Sequence, residues 1–204
     1  MATDPSLEKR ALRAEIRQKR RTMPSGDRER AARGLTEQLV ALAERFGATS
    51  IAAYMSTDDE PSTRGFLSWA HEAGIRVLLP ISREDGLLDW APYEPASTGG
   101  PSDAEELDFL GMPIPGTELL GPIAINDVSL VIIPASAVDR SGMRMGWGRG
   151  YFDRTIGSMA SRPPVYAVIF DSEFLDEVPH ERHDEPVDGV VTPTRTVTFT
   201  TRAR

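Results

Sequence analysis

"SLVIIPA", residues 129–135, is uncharged, and its four central residues, Leu130 to Ile133, are all apolar. A strand with one wet face alternates apolar and polar side chains. This one does not, so both of its faces must be covered. That places it in the interior of a sheet with helices on either side. The flanking sequence supplies the rest. Upstream, "TSIAAYM" (49–55) and "IRVLLPI" (75–81) read as two more buried strands, and "LLDWAPY" (87–93) as a weaker one. Between the first two, Pro61 suits the first turn of a helix running through about Ala73, and Gly74 ends it. Downstream, residues 150–159 read as a helix, "VYAVIF" (165–170) as a fifth strand and "DGVVTP" (188–193) as a short sixth.

Strands that alternate with helices indicate βαβ units. The N-terminal part differs. Ser6 suits the N-cap of a helix over 7–22, and residues 27–46 carry Leu35, Leu39, Leu42 and Phe46 on one stripe. Residues 94–122 are rich in Pro and Gly and read as a long surface connection. The expected fold is α/β: a mainly parallel central sheet with helices on both faces, preceded by an N-terminal helical segment. A single domain over 1–204 is expected, with helices at about 7–46 and the sheet core at about 49–199.

The 204 residues are 40% apolar and 26% charged, with no cysteine and a net charge of −8. No apolar run approaches the roughly 20 residues of a membrane helix. The first residues have no apolar secretory core. The absence of cysteine removes disulfides, thiolate metal sites and cysteine catalysis. A cytoplasmic monomer is expected, with no membrane partner. The acidic balance argues against nucleic acid, yet residues 9–33 are rich in Lys and Arg while 101–127 hold neither. Lys9, Arg13, Arg17 and Arg20 recur at helical spacing, a pattern that suits either a solvated face or a small polyanion.

In open α/β sheets ligands gather at the carboxyl ends of the strands. "RSGMRMGWGRGYFDRT" (140–155) follows the central strand there, with Gly146, Gly148 and Gly150 at alternate positions. Glycine permits positive φ, and free backbone N–H groups in such a turn form an anion-binding concavity. A helix beginning near Gly150 adds its positive end. Arg144 and Arg149 can contact phosphate oxygens, and Asp153 can hold a Mg²⁺ that bridges them. The physical reading is a triphosphate site, although a G-x-G-x-G pattern also marks a plain flexible turn. A P-loop is excluded because no Gly-Lys-Ser/Thr occurs, and the glycine spacing does not match a dinucleotide fingerprint.

The run "VIIPASAVDRSGMRMGWGRGYFDR" resembles the signature of the 5-formyltetrahydrofolate cyclo-ligases, also called 5,10-methenyltetrahydrofolate synthetases. Three further pieces resemble family segments in the same order: "KRALRAEIRQKRR", "YMSTDDEPST" and "RHDEPVDGVVTP". The resemblance implies an ATP- and Mg²⁺-dependent cyclisation of 5-formyltetrahydrofolate to 5,10-methenyltetrahydrofolate through a phosphorylated formyl group. It implies that Lys9, Arg10 and Arg13 contact ATP, together with Arg144, Met145, Gly146, Trp147, Gly148, Arg149, Gly150, Tyr151 and Phe152. It implies that Met55 and Glu60 contact folate, joined by Trp147 to Tyr151, and that Asp153 and Asp188 hold the metal. Arg144 and Asp153 are the implied catalytic pair.

Some positions depart from the family pattern. Trp147 and Phe152 stand where tyrosine is commoner, Ser62 where an acidic residue is frequent, and "GMPIPG" (111–116) replaces a stretch that often contains Glu-Pro. Met112 and Pro113 of that stretch are candidates to line the folate pocket. Two other readings stay open: a phosphosugar isomerase-like enzyme on a similar sheet, and a non-catalytic nucleotide or folate sensor.

Overall fold

The computed structural model describes residues 5–95, 106–107, 113–114, 119–159, 162–181 and 184–199. The chain begins with α1 (Pro5–Arg21), α2 (Ser25–Arg45), β1 (Ser50–Ala52), α3 (Arg64–Glu72), β2 (Arg76–Ser82) and β3 (Leu88–Pro92). Two-residue strands β4 (Glu106–Leu107) and β5 (Pro113–Ile114) pair antiparallel, and a 3₁₀ turn spans Pro122–Asp127. Next come β6 (Leu130–Pro134), β7 (Ala137–Asp139), β8 (Arg144–Met145), α4 (Tyr151–Ser158) and β9 (Val165–Val168). A short 3₁₀ turn, Asp171–Glu173, then leads into β10 (Phe174–Leu175), β11 (Gly189–Val191) and β12 (Thr196–Thr198).

Seven strands form the main sheet in the order β12-β11-β9-β6-β1-β2-β3. β6 stands at its centre, as its unbroken apolar run requires. The five inner strands are parallel, and β3 and β12 run antiparallel along the edges. Side chains of β6 alternate between two cores. Leu130 and Ile132 pack with Leu35 and Leu39 of α2 and Phe66 of α3. Val131 and Ile133 pack with Ile125 of the 3₁₀ turn and Ile156 of α4. Helices therefore cover both faces.

The structure corrects several boundaries. α1 already includes Pro5 and Ser6, so Ser6 lies in the first turn rather than capping it. Proline is well placed there because its missing N–H would have had no helical partner. α3 begins at Arg64, after Pro61. Tyr54 Oη donates to Pro61 O at 3.1 Å, and Thr63 Oγ1 donates to Tyr54 O at 2.6 Å. These bonds hold residues 61–63 against the end of β1, so the helix starts only beyond them. The connection over 94–122 holds β4, β5 and a bridge between Trp90 and Leu120. Its other parts, Met112 included, lie outside the described residues. A second sheet, β10-β7-β8, was not apparent in the sequence, nor was β12 as a separate strand.

Candidate active site

The small sheet positions the glycine turn. Ser136 donates from both its backbone N and its Oγ to Met145 O, at 2.8 and 2.6 Å, which closes the arch between β7 and β8. Asp139, 3% exposed, accepts from Ser141 N at 2.8 Å and Met143 N at 3.1 Å and so fixes the connecting turn. Beyond β8 the chain needs left-handed backbone at Gly148 (φ +95°) and Gly150 (φ +67°). Gly150 is the N-cap residue of α4. A side chain there would also meet the Arg154 guanidinium at 3.0 Å. Gly146 needs no positive φ.

A cleft of about 920 Å³ opens over this turn at the carboxyl ends of β1 and β6. α1 lies along it. Lys9, Arg13, Arg17 and Arg20 stand at i, i+4, i+8 and i+11, a single helical face, and all four line the cleft. Lys9 is 7% exposed, and its Nζ lies 3.1 Å from Glu181 Oε2 and 2.8 Å from Asp184 Oδ2. Arg13 Nε donates to Gly146 O at 2.7 Å. Arg17 and Arg20 stack on the Trp147 ring at 5.2 and 5.1 Å from its centroid. Arg20, 1% exposed, is clamped on Glu173 through Nε–Oε1 at 2.7 Å and Nη2–Oε2 at 2.8 Å.

Opposite α1, Arg144 Nη2 donates to Asp153 Oδ1 at 2.6 Å and Nη1 donates to Glu185 O. Burial pushes the Arg144 guanidinium below its usual pKa, against the pull of Asp153 beside it. Burial likewise lowers Arg13, while Asp184 and Glu181 raise it. This half of the cleft presents cations, a left-handed glycine turn and the positive end of α4. Such a surface has donors and cations suited to a polyanion, although Lys9 and Arg144 already meet Glu181, Asp184 and Asp153.

The other half differs in character. Met55 and Tyr54 line it beside Glu60. Glu60 Oε2 accepts from Thr57 N at 2.9 Å and Thr57 Oγ1 at 3.1 Å. These bonds fix the carboxylate, and burial raises its pKa above the usual glutamate value despite them. The arrangement offers an oriented acceptor to a planar ligand with an N–H edge.

Lys9, Arg13, Met55, Glu60 and the whole run from Arg144 to Asp153 line this one cleft. Arg10 and Asp188 do not. Arg10 is exposed, because one residue beyond Lys9 is about 100° further around the helix. Asp188 Oδ2 accepts from Val165 N at 2.8 Å and stands 3.9 Å from Arg162. Among the described residues no cluster of three His, Asp or Glu side chains is arranged to hold a metal. The lone carboxylate of Asp153 fits Mg²⁺, an ion usually held by one or two carboxylates plus substrate phosphates. The sequence spacing leaves Arg20 between a solvated face and a polyanion contact, and offers no role for Tyr54, Thr57, Glu181, Asp184 or Glu185. For Arg20 the helical spacing was a usable signal. For Glu181 and Asp184 there was none, since they meet Lys9 across more than 170 residues. Phe152 packs against the second core.

The sequence model of the 5-formyltetrahydrofolate cyclo-ligase family matches residues 5–193. A 5-formyltetrahydrofolate cyclo-ligase of Mycolicibacterium smegmatis is 36% identical over 192 residues, covering 92% of this chain and 94% of that protein. One from Escherichia coli is 26% identical, covering 88% of this chain and 97% of that protein. Among solved structures, the 5,10-methenyltetrahydrofolate synthetase of Aquifex aeolicus superposes with a TM-score of 0.74 at 22% identity, covering 96% of this chain and 95% of that one. That of Mycoplasma pneumoniae superposes with a TM-score of 0.71 at 20% identity, covering 91% and 99%. The two structures bear on the fold alone.

Proposed function

The chain belongs to the 5-formyltetrahydrofolate cyclo-ligase family, and from that premise we propose that it cyclises 5-formyltetrahydrofolate to 5,10-methenyltetrahydrofolate, converting ATP to ADP and phosphate. The observation that carries the reading is a single cleft lined by Lys9, Arg13, Arg144 and the glycine turn together with Met55 and the Glu60 carboxylate.

ATP lies with its phosphates on the turn from Gly146 to Gly150, contacted by Lys9, Arg13 and Arg144. Folate lies with its pterin edge on Glu60, packed by Met55 and Trp147. The formyl oxygen then faces the γ-phosphoryl group. Its attack forms a P–O bond and breaks the bond to ADP. N10 next adds to the activated formyl carbon and loses its proton to solvent. The C–O bond breaks toward phosphate, which leaves, and the methenyl bridge remains. Positioning and charge neutralisation supply most of the catalysis in phosphoryl transfer. Arg144, held by Asp153 and Glu185 O, is fixed in place before the charge develops.

Asp153 would hold Mg²⁺, which supplies charge neutralisation at the phosphate oxygens. Asp188, implied as its companion, has a supporting part in this reading. It ties the first residue of β9 and lies near Arg162, whose Nη1 is 3.5 Å from Glu185 Oε2. Glu185 in turn meets both Arg144 and Asp153. The same reading describes a cytoplasmic monomer acting on two small-molecule substrates.

A mixture of ATP, Mg²⁺ and 5-formyltetrahydrofolate tests the proposal. The expected result is the near-ultraviolet absorption of the methenyl product. Binding of both ligands without that band would identify a sensor instead.

A further inference from the structure

Three buried side-chain donors have no hydrogen-bond partner among the described residues: Arg20 Nη1, Trp147 Nε1 and Trp90 Nε1. Arg20 and Trp147 both line the cleft and are stacked on each other, 5.1 Å from guanidinium carbon to ring centroid. Phe170 covers Arg20 as well, at 5.6 Å. A planar guanidinium donates hydrogen bonds only along its in-plane edges. Nε and Nη2 form the edge turned to Glu173, and Nη2 also donates to Ala135 O at 2.8 Å. The Nη1 edge is the uncommitted one.

A buried donor left without an acceptor is costly, so such groups are commonly satisfied by water or by a ligand. Arg20 lines the same cleft as Glu60 and Tyr54, near enough for its charge to act on both. A pterin ring carries a carbonyl oxygen at C4 directly beside the N3–H and 2-amino donors. Glu60 can accept from those donors. The neighbouring carbonyl then calls for a donor, and a cation is the strongest kind.

Resting on the proposed folate activity, we propose that Arg20 is a specificity-determining residue. Its Nη1–H donates to the C4 carbonyl oxygen of the pterin, beside the N–H edge that Glu60 accepts. The pair reads three adjacent polar atoms in one plane and rejects a ring that carries an amino group at C4.

The probes are 5-formyltetrahydrofolate and its 4-amino-4-deoxy analogue, titrated calorimetrically into the full chain. The variant is Arg20→Met combined with Glu173→Gln, so that no carboxylate is left buried without its partner. The wild type is expected to bind the 4-oxo ligand at least tenfold tighter, roughly what a hydrogen bond to a charged donor contributes. In the double variant that preference should shrink by about ten- to a hundredfold. If the variant weakens both pteridines equally, Arg20 only supports the cleft wall and the proposal is overturned. Should the variant fail to fold, the two ligands are compared in Glu60→Ala, where the N3–H contact is gone from both: a remaining tenfold preference for the 4-oxo ligand would support the contact, and equal affinities would overturn it. Binding is read without turnover. Absence of methenyl formation by the wild type therefore strikes the proposed reaction and not this contact.

Discussion

Glu60 is held by Thr57 and raised in pKa by burial, so its value as an acceptor depends on pH. A raised pKa means that acidification protonates the group sooner than it would an ordinary glutamate. Folate affinity should therefore fall on the acid side beginning above the usual carboxylate range, and Glu60→Gln should flatten that limb. Glu60→Ala should weaken folate binding by about ten- to a hundredfold and leave ATP affinity unchanged. Calorimetric titration over pH checks both, and an equal loss of ATP affinity would remove Glu60 from the folate half. Asp153 allows a different test. Its contact with Arg144 at 2.6 Å ties the proposed metal ligand to the cation that meets the developing charge. Asp153→Ala should lower kcat far more than it raises the KM for folate. Exhaustive chelation of the wild type should stop turnover, and an unchanged rate would exclude the metal. The proposed parts of Arg144 and Asp153 could be read from the chemistry of the glycine turn, whereas that of Glu60 came only through the resemblance. The Thr57 bonds that fix Glu60 were not legible, because a loop of mixed polar residues gives no sign of which oxygen meets which N–H.

Strands were legible where burial was two-sided. β6, β1, β2 and β9 showed themselves as apolar runs because helices cover both faces of the sheet. β7, β8 and β10, at two or three residues each, are too short to display a period, yet their arch lifts the glycine turn into place. β12 is an edge strand of alternating threonines, with polar chemistry that reads as loop. Helix packing likewise hides from sequence. Gly34 of α2 looks like a weak helix position whose replacement by alanine gains about 1 kcal/mol of propensity. In the structure a Cβ there would lie 2.3 Å from Pro193 O. Overpacking of this kind costs about 1–3 kcal/mol, so the clash wins. Gly34→Ala should lower the unfolding midpoint, and a higher one would mean that α2 can shift away. α1 predicts the reverse sensitivity. Removing residues 1–14 takes away Lys9 and Arg13 but keeps Ile16 and Arg20, which are its buried anchors. The truncated chain should stay folded by circular dichroism and lose ATP affinity, whereas normal ATP binding would make the helix a solvated cover.

The proposed reaction brings two substrates to one cleft, and α1 lines it through Lys9, Arg13, Arg17 and Arg20. Arg13 meets the glycine turn at Gly146 O, Lys9 meets Glu181 and Asp184, and Arg20 lies about 16 Å from Lys9 along the helix. Yet α1 rests on a small apolar cluster of Ile16, Ala137, Met145 and Val178, joined by Leu12 and Trp147. The two large cores of the sheet do not include it. The rest of its attachment is polar, through Lys9 to Glu181 and Asp184 and through Arg20 to Glu173. An element with few buried apolar contacts opens at low free energy. Whichever ligand binds first then bears the cost of ordering α1, and the second finds it already ordered. ATP and folate should therefore bind with positive cooperativity, by a factor on the order of 5–150, and the factor must be the same in either order. Titrating ATP with and without saturating 5-formyltetrahydrofolate, with a non-hydrolysable analogue to prevent turnover, measures it. Hydrogen exchange supplies the physical check: amides of α1 should become protected with either ligand, while those of β6 should stay protected throughout. The chain lacking residues 1–14 should bind the two ligands independently. Equal ATP affinities with and without folate in the full chain would show that α1 is already fixed in the free protein, and the cleft would then be preformed rather than completed by its substrates.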